Sequence, residues 1–258
     1  MIDLTQIHRQ ALSAQPYAWA LIGDLFTTSD AAALAASFPR DHFKTVRGYD
    51  GEKGYEYEAR ALIHLGAGSL SHAKSLSPAW RRLAEDLLSP AYRAAMTQFT
   101  GIDLTTLPVE VNIFHYGPGA WLGPHLDLKD KIVTHILYFN QTWDETEGGC
   151  LSILKSADLA DAAAVIAPVV GNSAVLVRSD RSWHGVSRVV EGCRRSRRSM
   201  TVTFYHPGSV STLWPPGDRT PLHAYQGTDV EEAVDGASDL WARLRSLGSL
   251  WTSSRKTA

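Results

Sequence analysis

The sequence predicts a mainly β fold, an antiparallel sandwich with helices packed on one outer face, and three observations predict it. Helical spacing dominates up to residue 100. After Pro108 the apolar residues recur at every second position, and the strands that follow are close together, separated by turns rather than helices. With 258 residues and 44% hydrophobic content, the chain can fill one continuous core, so a single domain over 1–258 is expected.

Charge and cysteine usage exclude several classes. A formal net charge of −2 gives neither the basic footprint of a nucleic-acid binder nor an acidic tail. Met1-Ile2-Asp3-Leu4-Thr5-Gln6 carries an acid early and lacks the basic and apolar regions of a secretory signal. No stretch has the apolar length of a bilayer span. Cys150 and Cys193 show no Cys-x-x-Cys spacing, which argues against a disulfide framework or a zinc ribbon. The expectation is a cytoplasmic protein with no membrane or nucleic-acid partner; its oligomeric state is open.

Taken in order, Tyr17-Ala18-Trp19-Ala20-Leu21-Ile22 reads as a strand, and Thr28-Ser29-Asp30 caps a helix from Ala31 through Ala36 that stops at Pro39. Residues 41–57 lapse into Gly, Lys, Glu, Asp and Tyr, the texture of a surface excursion or a lid. Ser77-Pro78-Ala79-Trp80 starts a helix, with a capping hydroxyl and proline at the first helical position. That helix carries Leu83, Leu87 and Leu88, breaks at Ser89-Pro90, and resumes to Phe99 with Gly101 as its stop. Val109, Val111 and Ile113 then alternate with Glu110, Asn112, Phe114 and Tyr116 ahead of a Gly-Pro-Gly turn at 117–119. Further strands are expected at 132–139, 151–154, 173–177 and 199–205. Beyond Pro215-Pro216-Gly217, a helix from Val230 to Leu247 reads as part of a C-terminal brace over 207–258.

Gly123-Pro124-His125-Leu126-Asp127 holds a His-x-Asp pair at the end of an alternating run, with His184 downstream. Side chains two apart in an extended segment point to one side, so His125 and Asp127 reach a common point while Leu126 faces away. A third ligand from a distant strand completes a facial triad. Two imidazoles and a carboxylate leave open positions on ferrous iron for a chelating co-substrate and dioxygen.

Several blocks extend the pattern. Pro124-His125-Leu126-Asp127, Ile136-Leu137-Tyr138-Phe139-Asn140, Gly148-Gly149-Cys150-Leu151, Ser182-Trp183-His184-Gly185-Val186 and Arg197-Arg198-Ser199 occur in this order. The series resembles the 2-oxoglutarate and Fe(II)-dependent dioxygenases, and within them the prolyl 4-hydroxylase-like branch, over roughly residues 108–206. The resemblance implies a double-stranded β-helix, or cupin-like jelly roll, over about 108–206, helped by N-terminal helical support over 1–107. It also implies His125, Asp127 and His184 as iron ligands, with Fe(II), 2-oxoglutarate and O2 as requirements and ascorbate as a candidate reductant. By the same resemblance, oxidative decarboxylation of 2-oxoglutarate to succinate and CO2 accompanies hydroxylation of an unactivated C–H bond. In related halogenases a small residue replaces the carboxylate; Asp127 favours hydroxylation.

The far carboxylate of 2-oxoglutarate needs a cation with fork geometry, which arginine supplies better than lysine. The family's Arg-x-Ser pair matches Arg197 and Ser199, with Arg195, of the same parity, as the alternative. Arg197, Ser199, Thr201 and Thr203 share one face, suited to a wet cavity, and Arg198, Met200, Val202 and Phe204 share the other. Arg194, Arg195 and Arg198 read as a solvated basic patch. Tyr138 is the phenol partner of that carboxylate by resemblance, and Tyr116 points into the same cavity, whereas His115 and His135 fall on opposite faces and read as structural. Asn112, Lys131, Arg178 and the loop near Tyr55-Glu56-Tyr57 are candidates for shaping the substrate pocket. The branch favours an amino acid or a peptidyl side chain as substrate, with another small molecule left open. A metal-dependent hydrolase or isomerase on a cupin-like barrel, and a non-catalytic binding module on a decayed barrel, are the competing readings.

Overall fold

The computed structural model describes residues 1–49 and 53–225. The helix expected over 230–247 and most of the brace lie outside the described residues.

The helices form where local chemistry dictates. Ser77 Oγ accepts from the Trp80 amide and Pro78 occupies the first turn of α3 (Pro78–Leu88), which follows α1 (Leu4–Arg9) and α2 (Thr28–Ala36). Ser89 ends α3 and caps α4 (Pro90–Thr100), and Gly101, at φ 72°, closes α4 in the left-handed region open to glycine. In α2 the cap is Thr27, whose hydroxyl accepts from the Asp30 amide, so the 28–30 triplet expected to cap the helix forms its first turn instead.

Strands fill the rest: β1 (Trp19–Ile22), β2 (Lys44–Tyr49), β3 (Gly54–Ile63), β4 (Val109–Tyr116), β5 (Trp121–His125), β6 (Lys131–Tyr138), β7 (Leu151–Leu154), β8 (Ala162–Ile166), β9 (Ser173–Val177), β10 (His184–Val186) and β11 (Arg197–Tyr205). Their order is β1-β9-β6-β11-β4-β3-β5-β10-β7-β8, all antiparallel, with β2 on β3. From β4 onward the chain winds between two rows, β9-β6-β11-β4 and β5-β10-β7-β8, which is the jelly-roll winding. β3 joins the rows: its C-terminal half pairs β4 while Tyr55 and Glu56 pair Leu122 and Trp121 of β5.

Parity then sorts the side chains. Val109, Val111, Ile113, Met200, Val202 and Phe204 face the helices and pack with Trp80, Leu83, Leu87 and Met96 in the main core. Trp80 anchors it, with its indole 4.6 Å from Phe139 and 5.5 Å from Phe38 and its N–H donating to the Leu34 carbonyl. Ile136, Tyr138, Leu151, Ile153 and Leu176 fill a smaller core between the rows.

The expected loop at 41–57 is instead mostly the β2–β3 hairpin. β2 is largely exposed, so its alternation is carried by Lys, Thr, Arg and Tyr rather than apolar residues, and a reading tuned to buried faces misses it. Alanine-rich β8 and three-residue β10 leave similarly little periodic signal. Among the described residues, no helix is long and apolar enough to cross a membrane.

Candidate metal centre and adjoining cavity

Strand pairing brings the histidines together. β10 lies antiparallel on β5 with His184 opposite His125, and Asp127 follows two residues beyond the end of β5. The imidazole centroids are 4.3 Å apart, and one ligand atom from each of His125, Asp127 and His184 lies within 4.8 Å of the others. Gly185 eases the close approach of the strands: a Cβ there would stand 3.1 Å from the Leu122 carbonyl, tighter than an ordinary contact.

Each imidazole is fixed by its own backbone. His125 Nδ1 is 2.9 Å from the Gly123 carbonyl and His184 Nδ1 is 2.9 Å from the Ser182 carbonyl. A carbonyl only accepts, so both Nδ1 atoms carry the proton and both Nε2 atoms keep a lone pair. Burial lowers the pKa of both rings, which keeps them neutral, the form a metal ligand requires. Asp127 Oδ1 accepts from Lys131 Nζ at 2.6 Å and Oδ2 from the Thr134 hydroxyl at 3.1 Å. Burial alone would raise its pKa, but the Lys131 ammonium bonded to it outweighs that and holds the carboxyl well below its usual range. Two neutral nitrogens and one anionic oxygen at this spacing fit a first-row divalent metal such as Fe(II).

The three side chains line a cavity of about 400 Å³ between the rows of strands. Arg197 and Ser199 line it at one end, with Arg197 Nη1 donating to Ser199 Oγ at 2.5 Å. Arg197 is 2% exposed, its Nε has no hydrogen-bond partner, and its guanidinium carbon lies 4.7 Å from the Tyr116 ring and 5.5 Å from the Tyr138 ring. Burial pushes the Tyr116 phenol up to about 12 despite the opposing pull of Arg197. Tyr138 does not line the cavity; it is buried beneath, its hydroxyl without a partner, and burial raises its pKa as well. A buried cation with an unpaired donor, ringed by a phenol and a hydroxyl, fits the far carboxylate of a dicarboxylic acid.

Arg195 sits elsewhere. Its guanidinium bonds to Glu147 at 2.6 Å and Thr142 at 2.9 Å, ahead of β11. Arg198 corrects the expected solvated patch: it is buried on the helix side over the Phe38 ring, because parity turns it inward onto α2. Arg178 likewise lies off the cavity, bonding Asp180 at 2.7 Å and reaching the Asp127 carbonyl at 3.4 Å. Lys131 and Asn112 do line it, the latter accepting from the Trp214 indole at 2.7 Å. His135 and His115 are buried off the metal centre, bonded to Tyr92 at 2.9 Å and Glu58 at 2.7 Å.

Other lining residues escaped sequence reasoning: Thr134, Glu110, Lys53, and Thr212 and Leu213 from the segment after β11. Glu110 and Thr134 carried the right parity on their strands, which was the available signal. Nothing local marks Thr212 or Leu213.

Residues 111–206 match the model of the 2OG-Fe(II) oxygenase superfamily. No curated protein sequence matches the chain. Among solved structures, the fold is similar to a prolyl-4-hydroxylase from Pseudomonas putida, with 22% identity, a TM-score of 0.53, and coverage of 80% of this chain and 99% of that one. It is similar to a 2OG-Fe(II) oxygenase family oxidoreductase from Burkholderia pseudomallei, with 16% identity, a TM-score of 0.51, and coverage of 72% and 84%. A prolyl 4-hydroxylase from Phytophthora capsici gives 17% identity, a TM-score of 0.54, and coverage of 97% and 76%. At these identities the likeness is one of fold.

Proposed function

We propose, on the premise that residues 111–206 form a 2OG-Fe(II) oxygenase superfamily domain, that this protein hydroxylates an unactivated C–H bond of an amino acid or peptidyl side chain, converting 2-oxoglutarate to succinate and CO2. Enzymes of the superfamily use Fe(II), 2-oxoglutarate and O2. The observation that supports the reading most is the opposition of His125 and His184 across paired strands, with both Nδ1 atoms held by backbone and Asp127 alongside.

His125, Asp127 and His184 would hold the iron, which when bound supplies the oxidative step that side chains alone cannot perform. Backbone carbonyls keep both imidazoles in the tautomer that presents Nε2. Lys131 and Thr134 hold the Asp127 carboxylate ionised and oriented. Arg197 would bind the remote carboxylate of 2-oxoglutarate, with Ser199 and Tyr116 fixing the guanidinium and Tyr138 available from beneath. Leu122, Leu151 and Val186 give the cavity apolar walls that limit water around the reacting groups.

The test is anaerobic titration of the protein with Fe(II) and 2-oxoglutarate, watching for the weak visible metal-to-ligand charge-transfer band. The band is expected in the wild type and absent in His184→Ala. A colourless complex with full iron occupancy would overturn the reading in favour of a metal-dependent hydrolase or isomerase.

A further inference from the structure

Glu110 stands in the cavity with nothing in the proposed metal and cofactor chemistry to employ it. It is 2% exposed and lines the cavity from β4; apart from Asp127 it is the only acidic side chain among the lining residues. Its Oε2 accepts from the Tyr205 hydroxyl at 3.1 Å, while its Oε1 is buried with no hydrogen-bond partner. No ion pair joins it among the described residues. Holding Tyr205 occupies only one of its oxygens, and the other, buried without a donor, is costly.

Register places Glu110 relative to the metal centre. Thr203 of β11 pairs with Glu110 on one side and with Thr134 on the other, and Thr134 is the residue that bonds Asp127. Glu110 therefore lies two strands from Thr134, roughly 10 Å across the sheet. Arg197 is six positions along β11 from Thr203, roughly 20 Å away. Glu110 thus stands level with the Asp127–Thr134 bond across the sheet, while Arg197 lies far along β11. Lys131, the cation nearest the Asp127 carboxylate, is bonded to it.

We infer that Glu110, supported by Tyr205, is the substrate-selecting residue of this cavity and takes a cationic nitrogen, an ammonium or guanidinium, on a substrate of amino-acid size. The inference rests on the proposed oxygenase reading and narrows its substrate class. The cation supplies the donor that Oε1 lacks and neutralises the one acidic group left over by metal binding. With part of that roughly 10 Å taken up by the Glu110 side chain itself, a basic amino acid can set a chain carbon beside the metal ligands while its charged end meets Glu110.

The full-length protein, loaded anaerobically with Fe(II) and 2-oxoglutarate, is titrated with L-lysine and L-arginine and with their uncharged near-isosteres L-norleucine and L-citrulline. Binding is read from perturbation of the visible band and, independently, from the rise in melting temperature. At least one cationic compound is expected to bind about tenfold or more tightly than its neutral counterpart, the discrimination of one charge-assisted hydrogen bond. Glu110→Gln is expected to erase that preference while retaining the band. Equal binding of charged and neutral members, or a preference that survives Glu110→Gln, overturns the inference. Should that variant fail to fold, the wild-type comparison decides alone. Loss of the visible band in the wild type would count against the oxygenase reading, and the melting shifts would still report on Glu110; a normal band without cation preference would count against Glu110 only.

Discussion

Replacing Arg197 with alanine should separate cofactor binding from metal binding. The guanidinium is buried, holds Ser199, lies against the Tyr116 ring and keeps an unpaired Nε, so a carboxylate meeting it would form a desolvated, hydrogen-bonded charge pair. Truncating one partner of such a pair costs about 2–5 kcal/mol. At about 1.4 kcal/mol per factor of ten, 2-oxoglutarate affinity should fall between about 30-fold and about 4,000-fold. Arg197 donates to Ser199, while His125, Asp127 and His184 are held by Gly123, Lys131 and Ser182, so Fe(II) affinity should change little. The assay is an anaerobic titration of the visible band with 2-oxoglutarate at saturating Fe(II), beside a separate Fe(II) titration. Arg195→Ala is the control, because that side chain is committed to Glu147 and Thr142. If Arg195→Ala weakens 2-oxoglutarate binding more than Arg197→Ala does, the assignment of the anchor is refuted.

Thr134→Val removes the hydroxyl that orients Asp127 Oδ2 and should weaken Fe(II) binding by about 10–100-fold, measured by competition with a chelator. Trp80→Ala empties the centre of the helix-side core and should cost about 3–5 kcal/mol in urea unfolding. Gly148 has φ 71°, and a Cβ there would lie 1.9 Å from the Arg188 carbonyl; Gly148→Ala should lower the melting temperature by roughly 4 °C or more, by calorimetry. Burial lowers the His135 pKa to about 3. The unfolded chain therefore takes up this proton near pH 6.5 while the fold refuses it, so stability is full above pH 6.5 and falls as pH drops toward 3. The loss should reach about 2 kcal/mol by pH 5, and His135→Leu should shrink the pH 7 to pH 5 difference in metal-free protein by about that amount; an unchanged slope would show that His135 is not the group responsible.

Local chemistry wrote much of this protein in its sequence. Ser77-Pro78 and Ser89-Pro90 mark helix starts because a hydroxyl and a missing N–H act within a single turn. Period-two alternation sorted β4 and β11 into a helix-facing apolar set and a cavity-facing polar set, since successive side chains on a strand must diverge. The spacing of His125 and Asp127 likewise implied that both reach one point. Tertiary structure decided what spacing leaves free. Nothing near His184 states that β10 lies on β5, and only that pairing sets its ring beside His125. Arg195 and Arg197 have the same parity; the start of β11 and the pull of Glu147 send one outward and leave the other in the cavity. The hairpin at 44–63 and the approach of Thr212 and Leu213 to the cavity were also invisible locally, because exposed edges and irregular segments are positioned by distant partners rather than by their own periodicity.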